Sequence, residues 1–406
     1  MSRVILHCDC NSFFASVESA DHPEYKSVPM AVGCDESSRH GIILAKNELA
    51  KKYGVQTAET IHAARKKCPN LLVVPPHYDK YVEYSKAANE IYSRYTDKIE
   101  PFGIDESWLD VSSSRRLFGS GEEIANRIRE DVKRELGITV SVGVSFNKVF
   151  AKLGSDYKKP DAVTVISRES FREIVFPLKV SEMLFVGNKT ANALASMGIR
   201  TIGELANTSL ELLVRRFGKM GEQLYRYANG EDDSPVVNES DDAKSVSSGF
   251  TFRHDLTSFE ECRVGIDYLS DDIAQRLRRQ GQVAETVSLA IKDTYFRTVQ
   301  RQSPLPSATD VGKEISQGAF KLLLDGWCDG QPIRNITVSV SHLTRKSLCA
   351  TQLSFFGEEE ETKHKKNEKI EKAVDKIRQK YGNSSIINAE FIDSDIGIFE
   401  KKKKRG

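Results

Sequence analysis

The order in which strands and helices follow one another in the first third of this chain constrains its fold most strongly. An apolar run at residues 3–7 predicts a strand that leads to Asp9, and a helical pattern follows from Ser12. A long helix is predicted over residues 78–95, and two short strands then flank Ile104–Glu106 as a hairpin. A helix over residues 121–135 and a β-branched strand over residues 138–144 complete the series. This β-α-β-β-α-β order is typical of the split βαβ arrangement of ferredoxin-like domains, with residues 21–75 as an insertion.

The rest of the chain predicts domains of different character. Residues 167–232 have a helical pattern punctuated by glycines. Residues 231–245 are acidic and polar without a periodic apolar face, which is typical of a linker. Residues 246–343 repeat the order strand, helix, two strands, helix, strand, although the two copies share no sequence repeat. A lysine-rich helix is predicted over residues 363–381, with Ile370, Val374 and Ile377 on one face for docking or capping. The sequence therefore predicts an α+β multidomain protein with two split βαβ domains and a helical domain between them.

The composition limits the classes of protein to which the chain can belong. Its 406 residues exceed a usual single domain of roughly 100–200 residues. No apolar run approaches the roughly 20 residues that span a bilayer, and the first residues lack a basic start before a long apolar stretch. The seven cysteines are scattered without a CxxC pair, so neither a zinc ribbon nor a disulfide framework is indicated. We expect a cytoplasmic protein with no membrane partner, and its net charge of +1 leaves any nucleic-acid role to local arrangement.

Three carboxylates are predicted to meet at one edge of the first sheet. Asp9 ends the first strand, and Asp105 and Glu106 lie in the hairpin that a split βαβ sheet places beside it. So much negative charge is costly unless cations neutralise it, and a pair of magnesium ions about 3.5–4 Å apart is the usual solution. The alternative is that Asp9 caps the following helix and Asp105–Glu106 is a polar turn. Spacing alone leaves the two interpretations at about even odds.

Three segments of the sequence resemble the signature segments of Y-family translesion DNA polymerases. They are His7–Glu18 (HCDCNSFFASVE), Phe102–Asp110 (FGIDESWLD) and Ser141–Lys152 (SVGVSFNKVFAK). The resemblance covers about residues 1–356, in order and with matching spacing. It implies a right-hand polymerase with the palm at 1–10 and 76–166, fingers at 11–75, thumb at 167–232, a linker at 233–243, a little finger at 244–346, and a tail at 347–406.

The resemblance implies a template-directed polymerase that extends a primer 3′-hydroxyl with deoxynucleoside triphosphates. Asp9, Asp105 and Glu106 match the catalytic carboxylates that bind two Mg²⁺ ions, and the main-chain carbonyl of Cys10 matches a further ligand. The implied activity is lesion bypass at low fidelity by a monomer, and the assigned domains leave no room for a proofreading exonuclease. Two alternatives remain: a catalytically idle DNA- or clamp-binding paralogue, and a nucleotide cyclase, which shares a palm-like fold.

Residues around the incoming nucleotide are also implied by the resemblance. Phe14 matches the steric gate that excludes a 2′-hydroxyl, although Phe13 and Phe14 could instead both be core residues. Lys159 matches a lysine that binds the triphosphate, and its alternative is a solvated lysine beside a proline. In the fingers, Glu48 and Lys51 stand where many relatives have a tyrosine and an arginine that touch the phosphates. Lysine lacks the two-pronged bonding of arginine, so Lys51 is a weaker candidate and Glu48 is not included.

Two further regions are candidates for binding primer-template DNA. Gly187, Lys189 and Thr190 belong to a segment that resembles a helix–hairpin–helix, which aims backbone N–H groups at a phosphate; a plain helical hairpin is the alternative. Phe185 stands where this motif usually has its first glycine. In the little finger, Arg297 and Arg334 are the better candidates because they are predicted to lie on strands, whereas arginines on helices are usually solvated.

A short peptide after the little finger is a candidate for binding a partner protein. Gln352, Leu353, Phe355 and Phe356 belong to the segment QLSFF, which resembles the peptide that docks bacterial polymerases on the sliding clamp. A leucine and an aromatic pair could fill an apolar pocket on that partner. The alternative is the end of a strand that packs on the little finger.

Overall fold

The computed structural model describes residues 3–34, 41–238, 243–348, 358–392 and 394–398, with only the backbone described at 358–361 and 363. The chain divides into two compact units, Met1–Ser240 and Asp241–Gly406. Within the described part of the chain, no helix combines the length and the apolar character needed to cross a membrane.

The described residues of the first unit form eight strands and twelve α-helices. The strands are β1 (Ile5–Cys10), β2 (Met30–Gly33), β3 (Ile43–Lys46), β4 (Leu72–Val74), β5 (Ile99–Pro101), β6 (Glu106–Asp110), β7 (Val140–Ser145) and β8 (Val163–Ile166). The helices are α1 (Phe13–Asp21), α2 (Glu48–Lys52), α3 (Ile61–Lys67), α4 (Tyr78–Ser93), α5 (Arg115–Phe118), α6 (Gly121–Leu136), α7 (Lys148–Tyr157), α8 (Phe171–Val175), α9 (Asn188–Ser196), α10 (Ile202–Ala206), α11 (Leu210–Phe217) and α12 (Lys219–Ala228).

The first sheet has the strand order β5-β6-β1-β7-β8. Strand β1 lies between β6 and β7 and runs antiparallel to both, as the split βαβ order predicts. The sequence analysis did not predict β8, which adds a parallel edge strand beside β7. All six residues of β1 are buried, so this strand forms the centre of the sheet.

Helix α7 packs unusually close to the first sheet because two glycines face each other. A Cβ atom added at Gly143 on β7 would lie 1.9 Å from the carbonyl oxygen of Ala151 on α7. A Cβ atom added at Gly154 would lie 3.0 Å from the Cα atom of Gly143. No side chain fits in this contact, and the helix therefore lies directly over β7 and β1.

The insertion and the helical segment of the first unit each contribute a further hydrophobic cluster. Strands β2, β3 and β4 form a small sheet in the order β3-β2-β4, and the cluster beside it includes Ile43 on β3 and Ile61 on α3. Helices α8 to α12 surround a second cluster that includes Val175 and Leu213. Both parts lie within the segments to which the sequence analysis assigned fingers and thumb.

Part of the segment predicted as a linker packs on the first unit. Val236 is buried, and the Asn238 side chain accepts a hydrogen bond of 3.0 Å from the backbone N–H of Ile99. The carboxylate of Glu100 also accepts a hydrogen bond from the backbone N–H of Val237. Residues 232–238 therefore have fixed partners, which their polar composition did not indicate.

The second unit also has a split βαβ architecture, but with a different strand order. Its described elements are β9 (Ser245–Leu256), α13 (Phe259–Gln280), β10 (Gln282–Asp293), β11 (Thr298–Thr309), α14 (Gly312–Leu324), β12 (Ile333–Arg345), α15 (Glu358–Tyr381) and α16 (Ala389–Ile392). The sheet order is β11-β10-β12-β9. Its second and fourth strands are central, whereas the first and third strands of the series (β1 and β6) are central in the first sheet.

The tail helix α15 docks on the second unit mainly through ion pairs. Arg278 on α13 is almost fully buried and binds the carboxylates of Glu371 and Asp375. The sequence predicted a docking face formed by Ile370, Val374 and Ile377, but 52% of Ile370 and 39% of Ile377 are exposed. The prediction of a docking helix is therefore confirmed, but its predicted face was only partly correct: Val374 is partly buried, whereas Glu371 and Asp375 make the contacts in place of the exposed isoleucines.

Apolar residues after α15 complete the docking of the tail. Phe391, Ile396 and Ile398 are buried in the core of the second unit. The backbone N–H of Arg253 on β9 also donates a hydrogen bond of 3.2 Å to the carbonyl of Ile396.

Candidate active site

The structure brings the three predicted carboxylates to adjoining strand ends. Asp9 and Glu106 are cross-strand partners on β1 and β6, and the N–H of Cys10 donates a 3.0 Å hydrogen bond to the carbonyl of Asp105. Asp9 is buried. Burial, followed by the charges of Asp9 and Glu106, raises the pKa of Asp105 to about 6. The site therefore carries more negative charge than its surroundings solvate, which favours the binding of cations.

Two lysines lie among these carboxylates. The amine of Lys152 lies 2.9 Å from Asp9 Oδ2, 2.8 Å from Glu106 Oε2 and 3.4 Å from Asp156 Oδ2. The amine of Lys159 lies 2.6 Å from Asp9 Oδ2 and 2.7 Å from Asp156 Oδ1. Burial opposes the charged form of Lys152, but Asp9 and the other carboxylates outweigh it and raise its pKa. Both lysines therefore remain cationic beside the carboxylates.

The sequence analysis selected Lys159 but missed Lys152. Lys152 reaches Asp9 because α7 lies so close to β1, a contact that depends on Gly143 and Gly154. The spacing Lys148, Lys152, Asp156 on one helix face was the available signal, but it does not show which sheet edge the helix covers.

A buried histidine adjoins the carboxylates. His7 Nε2 lies 3.2 Å from Glu106 Oε2, and His7 Nδ1 lies 2.9 Å from the hydroxyl of Ser155. Burial, followed by the charge of Lys152, lowers the pKa of His7 to about 3, so the ring is neutral. In the described part of the chain, one group of three side chains has ligand atoms within 4.8 Å of one another: His7, Asp9 and Glu106. These residues could hold a divalent metal ion. His7 was not a predicted site residue, and the predicted ligand Asp105 lies outside this group.

The side chain of Cys10 is not a metal ligand in this arrangement. Its sulfur is buried and lies 3.8 Å from the Tyr92 hydroxyl. Burial raises the pKa of the Cys10 thiol to about 12, which keeps it protonated. The Cys10 side chain therefore acts as a small core residue, and only its carbonyl is a candidate ligand.

A cleft of about 290 Å³ opens over the carboxylates. It is lined by Asp9, Cys10, Ser12, Phe13, Leu44, Ala45, Lys46, Thr57, Asp105, Glu106, Lys152, Asp156 and Lys159. The amine of Lys46 donates a 3.2 Å hydrogen bond to the Thr57 hydroxyl. Burial, followed by the charge of Lys51, lowers the pKa of Lys46. The cleft thus combines three cationic side chains with the carboxylate edge, which is suited to a phosphate-bearing ligand.

Lys51 and Glu48 do not belong to the lining of this cleft. The amine of Lys51 lies 3.7 Å from Glu48 Oε1, and both side chains are about half exposed. Lys46, on strand β3, lines the cleft. The sequence analysis missed Lys46 because it followed the positions of the family's phosphate-binding tyrosine and arginine.

Phe14 is stacked on a neighbouring tyrosine. Its ring lies parallel to that of Tyr81, with centroids 4.1 Å apart and an interplanar angle of 10°. Phe13 is buried in the core of the first sheet and borders the cleft, whereas Phe14 is partly buried and is not among the lining residues. The steric-gate role of Phe14 stays a prediction.

In the predicted DNA-binding hairpin, Phe185 adopts a backbone conformation that is usual for the glycine it replaces. Phe185 adopts a φ of 68°, in the left-handed region that favours glycine, and the turn continues to Gly187 at the start of α9. Gly187 and Lys189 are exposed and Thr190 is partly buried, so this end of α9 remains accessible.

The open face of the second sheet is polar. Four rows of cross-strand neighbours form it, none of which contains a carboxylate: Thr251–Asn335–Lys292–Thr298, Gly249–Thr337–Ala290–Gln300, Ser247–Ser339–Ser288–Gln302 and Ser245–Ser341–Thr286–Pro304. The opposite face carries buried residues such as Val287, Leu289 and Val338. This polar surface is therefore a candidate for contacts with DNA.

The two predicted arginines lie at one end of this sheet. Arg334 lies on β12, as predicted, but Arg297 precedes β11 and belongs to the turn after β10. The prediction that Arg297 lies on a strand was therefore wrong, because residues 294–297 are needed to reverse the chain. The clamp-peptide candidates Gln352, Leu353, Phe355 and Phe356 lie outside the described residues.

Comparison with known proteins shows the family to which the chain belongs. Residues 8–156 match the impB/mucB/samB family, residues 243–355 match the C-terminal domain of that family, and residues 185–232 match a DNA polymerase-iota thumb domain. The chain is 47% identical over 388 residues to DNA polymerase IV of Acetivibrio thermocellus, covering 95% of this chain and 96% of that protein. The chain belongs to the Y family of DNA polymerases.

Other relatives and a solved structure agree with this membership. DNA polymerase IV of Clostridium kluyveri is 37% identical to this Y-family chain, and the match covers 97% of this chain and 99% of the relative. DNA polymerase IV 2 of Halalkalibacterium halodurans is also 37% identical, over 100% of this chain and 99% of the relative. A solved Y-family DNA polymerase chimera has a TM-score of 0.74 at 24% identity, covering 84% of this chain and 98% of the other, and it supports the fold.

Proposed function

We propose that this translesion DNA polymerase extends the 3′-hydroxyl of a primer on a DNA template by two-Mg²⁺ nucleotidyl transfer. The observation that carries the proposal is the pairing of Asp9 with Glu106, beside Asp105, at the edge of a cleft that also contains cationic side chains. The first sheet (1–10 and 76–166) then serves as the palm, with fingers at 11–75, thumb at 167–232 and little finger at 244–346.

The donor set of the site suits magnesium. Carboxylate and carbonyl oxygens are hard ligands, and Mg²⁺ typically combines one or two protein carboxylates with substrate phosphates and water. Asp9, Asp105, Glu106 and the carbonyl of Cys10 would hold the ions, and the raised pKa of Asp105 fits a carboxylate that awaits a cation. The bound ions would lower the pKa of the primer hydroxyl and neutralise the triphosphate. The carboxylates orient the reacting groups from the rigid ends of two buried strands.

Lysines around the cleft would bind the triphosphate. Lys159 and Lys152 already lie at hydrogen-bond distance from carboxylates, so each can exchange a carboxylate partner for a phosphate oxygen. Lys46 would supply the positive charge from the fingers that we first expected from Lys51. Phe14 would exclude ribonucleotides if its ring leaves Tyr81 to face the sugar.

DNA would be held without sequence specificity. The amides at Gly187, Lys189 and Thr190, at the start of α9, would bind a phosphate, and hydroxyl and amide groups on the open face of the second sheet would add further contacts. Arg297 and Arg334 add positive charge at the end of that sheet. Phosphate contacts of this kind predict that binding weakens steeply with salt.

Several parts of the proposal rest on family membership. They are lesion bypass at low fidelity, synthesis without proofreading by this chain, monomeric action in the cytoplasm, and docking on a bacterial sliding clamp through Gln352, Leu353, Phe355 and Phe356. The six cysteines in the described part of the chain are free thiols, which is compatible with a reducing compartment.

Primer extension tests the proposal directly. The native chain should extend a primed template with Mg²⁺ and deoxynucleotides, and Asp105→Ala should abolish extension while retaining DNA binding. Glu83→Ala is the matched control, because it removes an exposed carboxylate on α4. Full extension by Asp105→Ala would refute the metal assignment. Failure of the native chain to extend, despite DNA binding, would favour the idle paralogue.

A further inference from the structure

The turn between β10 and β11 exposes two aromatic rings at the end of the second sheet. Tyr295 is 77% exposed and Phe296 is 65% exposed, and Val299 beside them is 45% exposed. Exposed aromatic side chains are costly in water and often mark a surface that binds another molecule.

The backbone of the turn holds these rings outward. Asp293 Oδ1 accepts hydrogen bonds of 2.8 Å from the N–H groups of Tyr295 and Arg297, and the Asp293 N–H donates to the carbonyl of Arg297. Phe296 adopts a φ of 63°, a conformation that is unfavourable for an aromatic residue and is maintained by these bonds. The rings are therefore presented on a preformed turn.

An arginine lies over each ring. The guanidinium of Arg297 lies 5.1 Å from the ring centroid of Tyr295, and that of Arg334 lies 4.9 Å from the ring centroid of Phe296. Asp293 lies in the same turn, with Oδ2 3.4 Å from Arg297 Nε, so the net positive charge here comes from Arg334 and from Lys292 in the adjoining row, which contains no carboxylate. Aromatic rings that are interleaved with cations match a ligand that has both flat bases and negative charge.

We propose that the β10–β11 turn binds unpaired bases of the template strand ahead of the primer terminus, by stacking on Tyr295 and Phe296. The inference rests on the proposed polymerase function and adds a second template contact outside the active-site cleft. Base pairs hide the faces of their bases within the duplex, so single-stranded template is the part of the substrate that can stack on these rings.

Binding of the full chain to two primer-templates tests this inference. Both carry the templating base, but one has a one-nucleotide 5′ template overhang and the other an eight-nucleotide overhang. The native chain should bind the longer overhang more tightly. The double variant Tyr295→Ala with Phe296→Ala should lose about tenfold in affinity for the longer overhang and little for the shorter one, whereas Tyr295→Phe with Phe296→Tyr should keep the native values.

Two controls separate base stacking from other causes. Tyr381→Ala removes another ring that is 65% exposed and has a lysine amine 5.1 Å from its centroid, and it should leave both affinities unchanged. An eight-nucleotide overhang of abasic nucleotides keeps the phosphates but lacks the bases. The native chain should bind this DNA only as weakly as the double-alanine variant binds the ordinary eight-nucleotide overhang.

Three results would overturn the inference. An equal loss of affinity for both overhangs would indicate a general effect on the second unit. Unchanged affinity in the double-alanine variant would indicate that the two rings bind a protein partner instead of DNA. Undiminished binding of the abasic overhang would assign the preference to phosphates. Primer extension by the native chain, measured in parallel, reports separately on the proposed function.

Discussion

Replacing Lys152 with methionine should destabilise the first unit when Mg²⁺ is absent. Removing one partner of a buried ion pair costs roughly 3–5 kcal/mol. Here the Lys152 side chain is 16% exposed and that of Glu106 is 21% exposed, and Lys159 remains 2.6 Å from Asp9. We therefore expect Lys152→Met to lower the free energy of unfolding by about 2 kcal/mol, which for a unit of this size corresponds to roughly 4–8 °C in melting temperature.

Magnesium should reduce this difference. An ion bound to Asp9, Asp105 and Glu106 neutralises the charge that Lys152 neutralises in its absence, so the variant should gain more stability from Mg²⁺ than the native chain. At Mg²⁺ concentrations about 100-fold above the dissociation constant, binding contributes roughly 2.7 kcal/mol. We expect the gap between variant and native chain to fall below about 1 kcal/mol under those conditions.

Urea unfolding followed by tryptophan fluorescence measures both values. The chain has two tryptophans, and Trp108 is buried beside the site, so a Trp327→Phe background makes the signal specific to the first unit. Lys158→Met is the matched control, since Lys158 is exposed, and its effect should stay within about 0.5 kcal/mol. The reasoning fails if Lys152→Met costs no more than this control in EDTA, or if Mg²⁺ leaves the gap unchanged.

Three other predictions concern separate parts of the chain. Arg278→Met should lower the unfolding free energy of the second unit by about 2–3 kcal/mol because it removes the buried guanidinium that pairs with the partly buried carboxylates of Glu371 and Asp375, whereas the exposed neighbour Arg279→Met should change it little; equal effects in calorimetry would refute the docking role. Phe14→Ala should raise ribonucleotide incorporation at least tenfold (about 1.4 kcal/mol) in primer extension, and unchanged sugar selectivity would remove Phe14 from the gate. Phe355→Ala with Phe356→Ala should reduce clamp-stimulated synthesis but spare synthesis without the clamp, and equal loss in both assays would point to packing on the little finger instead.

The second sheet shows that the order of elements along the chain does not predict the order of strands in the sheet. The two split βαβ units contain the same series of strands and helices, and the first sheet adopted the ferredoxin-like order that the series suggests. In the second sheet, β10 and β12 are central instead. Within the four strands of the series, both orders keep every neighbouring pair antiparallel, and each helix connects two parallel strands, so local pattern cannot distinguish them.

The tail illustrates the same limit at the level of single residues. Helical periodicity correctly indicated α15, but it favoured an apolar docking face at Ile370 and Ile377. The helix instead contacts the second unit through carboxylates that pair with Arg278. Charged residues on a predicted helix are normally assigned to its solvent-exposed side. The local sequence does not show that a residue of opposite charge, about 90 residues away in the chain, is their partner.

The sequence by itself identified the three carboxylates of the site. Asp9 near the end of an apolar strand and Asp105–Glu106 in a hairpin are visible in the local pattern and in the family resemblance, and the pairing of β1 with β6 places Asp9 opposite Glu106. Only the tertiary structure decided which cations meet them. Lys152 depends on the contact between Gly143 and Gly154, and Lys46 on where a separate small sheet lies over the cleft. The strands and the residues at their ends follow from local periodicity, whereas the neighbours of each strand and the position of one packed layer over another depend on side chains that are far apart in the chain.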